Sequence, residues 1–496
     1  MQPLFVELGE FDAARFMQAW ADQCRAQSPH DGGASPRHWH ALAWAAQPLQ
    51  PDALPHPLAQ AAWGLLPGLH RLRLRSPEHP HLVAHLTLGI GSDAAAFTSL
   101  VQCPPPMAKV ATREARVVVL GAGLAGAACA RALADRGYRV HVLDAGHHPA
   151  AGASGLPVGL VAPHASPDDS VISRLSRAGV RAMRDAMQHL LREGQDWGDT
   201  GVQERRLPGK TRKGGAPSHW QTEWPVEGRA WTCAATETHL PPNTLWHARG
   251  AWVRPAALVK ALLDHPCITW HPHTPATHLE REGQRWRVMH HAEAQAHADQ
   301  VVLACGPATP KLLHASGLRD DATPIRPLRG QLSWGLMSAL PPEAHARLPA
   351  SPVNGHGCWV HNVATAEGPA WFAGSTFDRT RDTPECLDSD QTDNLERVQT
   401  LLPELAPHLS AAFAHPSVRA WAAVRASVPD RLPMVGPVPG APDTTDGLWL
   451  CSAMGSRGLS LSVLCGELLA AQWTGEPLPI EPPLARALSS LRFARP

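Results

Sequence analysis

The segment ARVVVLGAGLAGAACARALADRGYRVHVLDAG, Ala115–Gly146, decides the fold. Arg116 to Leu120 is an apolar, β-branched run of the kind that forms a buried parallel strand. Gly121 permits a tight turn, Gly123 lets backbone approach a pyrophosphate, and Gly126 lets the next helix pack close to the strand. Ala122, Leu124 and Ala125 supply the intervening backbone amides. An Ala-rich helix is predicted from about Leu124 to Arg136, with its free N–H groups and partial positive charge aimed at the phosphates. Gly137 is placed to end it, and Tyr138 to Leu143 reads as a second strand. Asp144, followed by Ala145, stands about 20 residues beyond the glycines, where an acid can bond ribose hydroxyls. An acid here, not an arginine, argues against a 2′-phosphate. A lone glycine motif is weak; strand, glycines, helix, strand and terminal acid in order predict dinucleotide binding.

Outward from this segment, three further stretches point to a flavin. Gly152, Ala153, Ser154 and Gly155 follow the second strand almost at once and leave room for a bulky group. DQVVLACGPAT, Asp299–Thr309, is a buried strand running into a small-residue turn that contains Ala304 and Gly306. GLWLCSAMGSRGLSLSVLCGELLAAQ, 447–472, reads as strand, turn and helix. Its turn is Gly455, Ser456, Arg457 and Gly458, and a helix starting near Leu459 aims its N-terminus at whatever the turn holds. An anionic reduced flavin ring suits that field; a plain loop is the alternative.

These pieces, in this order, resemble the D-amino-acid-oxidase-like superfamily of flavoenzymes. AVRASVPDRLPMVGPVPG, Ala423–Gly440, carries that superfamily's late fingerprint in Arg425, Asp430, Pro433 and Gly436. Together with GASGLPVGLVAP, ARGAWVRPAALVKAL and RGQLS, it is similar to the FAD domain of the bifunctional tRNA 5-methylaminomethyl-2-thiouridine biosynthesis (MnmC) family. The resemblance spans roughly 115–475. It implies an α/β fold: a Rossmann-type FAD-binding domain interleaved with an α+β substrate domain of the D-amino-acid-oxidase/glycine-oxidase type. The expected FAD-binding parts are about 116–200, 250–310 and 420–475, the substrate-domain parts about 200–250 and 310–420, with a linker at 106–115 and a Pro-rich tail at 476–496.

In that family a methyltransferase precedes the FAD domain. Here LFVELGEFDAARFMQAWADQ keeps one glycine, Gly9, where a glycine-rich S-adenosylmethionine loop is expected, and the linker arrives early. Residues 1–105 are read as a degenerate methyltransferase-like region without methyl transfer, or else as an unrelated module.

The implied reaction is oxidation of a carboxymethylaminomethyl group on the wobble uridine of tRNA to aminomethyl, with loss of glyoxylate. FAD is the implied cofactor and oxygen the implied acceptor. Arg425 is the expected clamp for the substrate carboxylate, unless it forms an ion pair with an acid such as Asp430. Arg457 is expected beside the flavin ring, Gly330 and Gln331 on a strand near it, and Arg329 facing substrate or solvent. Trp359 either stacks on a uridine or packs in the core. A basic run, ERRLPGKTRKGG at Glu204–Gly215, is a phosphate-docking loop or a solvated one. The alternatives are a small-molecule amine oxidase acting on glycine, sarcosine or a D-amino acid, and a silent flavoprotein.

Bulk composition fits. Basic and acidic residues balance, 44 against 44, so total charge advertises no nucleic-acid partner. No apolar run approaches the ~20 residues that span a bilayer, and the opening MQPLFVELGEFD lacks a signal-peptide pattern. The ten cysteines form no C-x-x-C pair, which suits reduced thiols in the cytoplasm. No metal site is assigned, and the 29 histidines are read mostly as surface residues.

Overall fold

A computed structural model describes residues 4–26, 37–47, 49–79, 82–104, 115–166, 168–206, 233–234, 240–241, 244–318, 321–414, 416–440 and 442–494. The nucleotide fold is a six-stranded sheet. Its order is Ile268–His271, Val140–Leu143, Val117–Leu120, Gln300–Leu303, Leu448–Ser452 and Met434–Pro437. The first five strands are parallel and the last is antiparallel. Val117–Leu120, Gln300–Leu303 and Leu448–Ser452 are buried throughout, as central parallel strands covered on both faces must be.

The helices of one face pack at backbone distance because small residues sit at the crossings. A Cβ on Gly179, in the Val171–Leu190 helix, would lie 1.8 Å from Ser460 O. One on Gly466, in the Gly458–Thr474 helix, would lie 2.6 Å from Ala128 O in the Leu124–Asp135 helix. The late helix therefore lies directly against both the glycine-loop helix and Val171–Leu190.

An eight-stranded sheet forms the second part, with Arg326–Leu336 between Gly368–Gly374 and the edge strand Arg419–Ser427. Arg419–Ser427 pairs antiparallel with Arg326–Leu336, placing Leu328 opposite Arg425 and Gly330 opposite Ala423. The fingerprint strand thus belongs to the large sheet, while Met434–Pro437 just beyond it joins the nucleotide sheet. The chain crosses between the two layers at this point.

Residues Leu4–Ile90 carry a separate four-stranded sheet. Leu4–Glu10, Arg37–Ala45 and Leu82–Ile90 run parallel, and Gly68–Arg75 antiparallel. The first strand bulges at Gly9, whose φ of 77° suits glycine, and turns into the Ala13–Ala26 helix. Asp12 accepts from Arg15 N at 2.7 Å, satisfying a free amide of the first turn. The tail packs back on this sheet: Glu481 accepts from Leu69 N, and Arg71 donates to Pro477 O at 2.6 Å. Among the described residues no helix is long and apolar enough to cross a membrane.

Candidate active site

At the C-terminal ends of the parallel strands the glycine loop has the tolerances its composition demands. Gly121 has φ 109°, and a Cβ there would sit 2.5 Å from Ala304 O. A Cβ on Gly126 would sit 1.9 Å from Gly121 O, so alanine would force the helix off the strand. Gly123 is the helix N-cap in an extended conformation, with no side chain to close the end. Ser154 Oγ accepts from Leu124 N at 2.9 Å, tying the Ala153–Gly155 turn to the helix start. Asp144 accepts from Ala122 N at 2.6 Å and Gly146 N at 2.7 Å, one bond per carboxylate oxygen, and Ala145 beside it is exposed. Space around Gly152 and Gly306 is open to 4 Å. Ala304 N bonds Leu120 O at 2.9 Å, carrying the second small-residue turn to the same sheet edge.

The late turn closes the arrangement. Gly455 has φ 54°, and Gly458 starts the late helix with a Cβ position 3.4 Å from Leu124 Cδ1. Two helix N-termini, at Leu124 and Gly458, therefore converge, and their fields add. Gly455 N donates to Ala426 O at 2.8 Å, which fixes the turn Gly455, Ser456, Arg457, Gly458 and Leu459 against the Arg425 strand. That strand also touches the Ala153–Gly155 and Gly306–Ala308 turns. An anion-binding cradle and a bare glycine surface thus face one edge. This is the donor set that an adenine dinucleotide with a flavin ring needs, so FAD fits the residues present.

Arg425 is held, and its charge is not answered. Its guanidinium reaches Thr376 O at 3.1 Å, and Leu328 O, Arg329 O and Ser375 Oγ each at 3.4 Å. It lies 4.8 Å from the Phe377 ring centroid. No acid pairs with it among the described residues. Burial pushes it down to about 10, which leaves it charged at neutral pH and in want of an anion. Asp430 is committed elsewhere, to Arg492 at 2.8 and 3.0 Å, so the ion-pair reading of Arg425 fails. Gly330 makes the space: a Cβ there would be 2.0 Å from Arg425 Nη2 and 2.6 Å from Thr376 O.

The Arg457 guanidinium makes no hydrogen bond or ion pair with the described residues; burial, then the charge of Arg431, lowers it from its ordinary value. Arg329 faces neither substrate nor solvent. It is fully buried, bonded to Asp390 at 2.5 Å, Glu385 O and Gln331. Trp359 is fully buried and stacks on Trp371 with centroids 5.3 Å apart, so packing, not base stacking, is its role. An exposed aromatic, Phe377 at 51%, does stand on the turn beside Arg425. Nothing in its sequence neighbourhood announces it; its Arg425 contact is the signal. In the basic run, Arg205 bonds Glu404 at 2.6 Å and Arg206 bonds Ala165 O at 2.9 Å; Lys210, Arg212 and Lys213 lie outside the described residues.

The family of FAD dependent oxidoreductases (DAO) matches residues 116–472. A protein of Polaromonas sp. named tRNA 5-methylaminomethyl-2-thiouridine biosynthesis bifunctional protein MnmC is 46% identical over 387 residues, covering 75% of this chain and 58% of its own length. A protein of the same name from Paracidovorax citrulli is 46% identical over 413 residues, covering 79% and 63%. The chain thus spans about three-fifths of the length of these curated relatives. In fold it is similar to glycine oxidase from Geobacillus kaustophilus, with TM-score 0.54, 17% identity and coverage of 73% of this chain and 95% of that one. L-proline dehydrogenase from P. horikoshii gives TM-score 0.57, 14% identity and coverage of 76% and 97%.

Proposed function

Because the chain belongs to the family of FAD-dependent oxidoreductases (DAO), we propose that it oxidises the carboxymethylaminomethyl group of a tRNA wobble uridine to aminomethyl, releasing glyoxylate. The observation that carries the reading is Arg425: a half-buried, charged guanidinium with no counter-ion among the described residues, on the strand that touches the Ala153–Gly155, Gly306–Ala308 and Gly455 turns. The names of the 46%-identical relatives support the tRNA substrate.

In this reading Gly121, Ala122, Gly123, Leu124, Ala125 and Gly126 hold the pyrophosphate by backbone. Asp144 and Ala145 hold the ribose. Gly152 to Gly155, Ala304, Gly306 and Gly455 to Leu459 border the flavin. A bound flavin supplies two-electron oxidation of a carbon–nitrogen bond. Arg425 takes the substrate carboxylate in a planar fork and so fixes the methylene between carboxylate and amine. Arg457, at the start of the late helix, would add positive charge beside a bound flavin. Hydrolysis of the substrate imine then separates glyoxylate from the aminomethyl nucleoside. Oxygen is the proposed acceptor and the cytoplasm the proposed location. The 1–105 region is proposed to be a methyltransferase remnant that transfers no methyl group; S-adenosylmethionine binding by calorimetry would count against it.

The test is anaerobic mixing of the yellow protein with tRNA from cells blocked at the carboxymethylaminomethyl stage, following flavin absorbance. Bleaching by that tRNA and not by glycine or sarcosine is expected. Bleaching by the free amino acids alone would assign a small-molecule amine oxidase instead.

A further inference from the structure

The N-terminal sheet gathers three histidines. His38 and His40, two apart on Arg37–Ala45, share one face, and His85 lies opposite His40 in the register with Leu82–Ile90. Both His38 and His40 have ring centroids 4.7 Å from that of His85. One ligand-capable atom from each lies within 4.8 Å of the others. His38 Nδ1 is 3.0 Å from His85 Nε2, and His40 Nε2 is 3.3 Å from Glu476 Oε2. Two ligands on a tetrahedral zinc, with bonds of about 2.0–2.1 Å, stand roughly 3.3 Å apart. Both pairs are close to that edge.

The polar accounting points the same way. His40 and His85 are almost wholly buried, and apart from the 3.3 Å approach of Glu476 neither nitrogen of His40 has a polar partner among the described residues. A neutral imidazole offers one lone pair to a metal. The Glu476 carboxylate stands between His40 and Arg136. Arg136 grips this carboxylate at 2.6 and 2.8 Å, orienting it as outer-shell groups orient metal ligands. Glu467, 3.0 Å from Arg136, offsets the added positive charge.

We propose that His38, His40 and His85, completed by Glu476, bind one divalent ion of the zinc class. Three imidazoles and one carboxylate favour zinc over magnesium or calcium. All four ligands come from the protein, so the site is structural, and Glu476 makes it a clamp between the N-terminal sheet and the tail. Spacing conceals it, since only His38 and His40 are close in sequence.

The test uses the full chain with its flavin. The protein is exposed to Zn2+, desalted, and its metal measured by mass spectrometry; Co2+ is then titrated and its visible band recorded. One retained zinc per chain and a strong tetrahedral cobalt band are expected. His38→Ala, at the least buried ligand, and Glu476→Gln should each weaken binding by at least ~10-fold. No retained zinc, a weak octahedral cobalt spectrum, or wild-type affinity in both variants would overturn the proposal. The cobalt spectrum decides on the unaltered protein even if a variant fails to fold.

Discussion

Replacing Gly330 by alanine should disable the carboxylate clamp without touching a charged residue. The new methyl carbon would begin 2.0 Å from Arg425 Nη2 and 2.6 Å from Thr376 O. The guanidinium can swing aside, but the carbonyl is backbone in a turn fixed by the Thr376 N–Gln331 O and Asp378 N–Arg329 O bonds. The side chain must therefore give up its contacts to Thr376 O and Arg329 O, at 3.1 and 3.4 Å. Hydrogen bonds to a charged group contribute about 1.5–3 kcal/mol. Losing that alignment in the carboxylate complex lowers kcat/KM by roughly 10- to 150-fold. Overpacking also costs about 1–3 kcal/mol of stability. The assay is anaerobic flavin reduction across substrate concentration, with flavin content and melting temperature measured alongside. Normal flavin content with a raised KM is expected. Unchanged kcat/KM in a folded, flavin-loaded Gly330→Ala protein would show that Arg425 does not meet the substrate.

Other perturbations separate the parts of the site. Arg425→Ala should keep its flavin and lose turnover by at least ~100-fold, as when a charged contact worth about 3 kcal/mol is removed; unchanged turnover would dismiss the clamp. Gly126→Ala, with its methyl 1.9 Å from Gly121 O, should purify colourless, and a normal flavin spectrum would refute the close-packing argument. Phe377→Ala should raise KM for tRNA several-fold and leave any rate with free glycine unchanged, since a base–aromatic stack contributes about 1–3 kcal/mol; an equal effect on both substrates would assign Phe377 to Arg425 alone. Glu467 and Glu476 are held below their ordinary 4.5, so their stabilisation is present above that pH and is lost as pH falls through the folded values. Melting temperature should therefore drop below about pH 4.5, and Arg136→Met, which takes the arginine from Glu476 and leaves Glu467 to Arg73 alone, should cost about 3–5 kcal/mol at neutral pH.

What was legible in the sequence was local. The glycine loop, its helix and Asp144 lie within one strand–turn–helix–strand run, so each residue's partner is a near neighbour and its spacing carries the geometry. The helix observed at Leu124–Asp135 and the strands at Val117–Leu120 and Val140–Leu143 fall inside the predicted spans. The roles that resisted reading depend on partners far along the chain. Asp430 is taken by Arg492 and so does not answer Arg425, and Arg425 has room because Gly330 faces it from the neighbouring strand. Arg329 is next to that glycine, yet Asp390 and Glu385 O draw it inward. Trp359 disappears into a stack with Trp371 that its own strand does not foretell.

The same distance effect explains why the N-terminal sheet reads as an appendage in sequence and behaves as part of the flavoprotein in space. Arg73 meets Glu467, on the late helix, and Asp185, on the Val171–Leu190 helix. Arg136, at the end of the glycine-loop helix, pairs with Glu467 and Glu476, with side chains 3% and 5% exposed for the Glu476 pair. Such a network is costly to desolvate and tolerable only when complete, because a lone charge left in it has no water to turn to. Removing the sheet would leave Glu467 without Arg73 and Glu476 without His40, beneath the two helices whose N-termini frame the cofactor site. The sheet therefore completes the charge balance behind the flavin fold whether or not it retains any chemistry of its own.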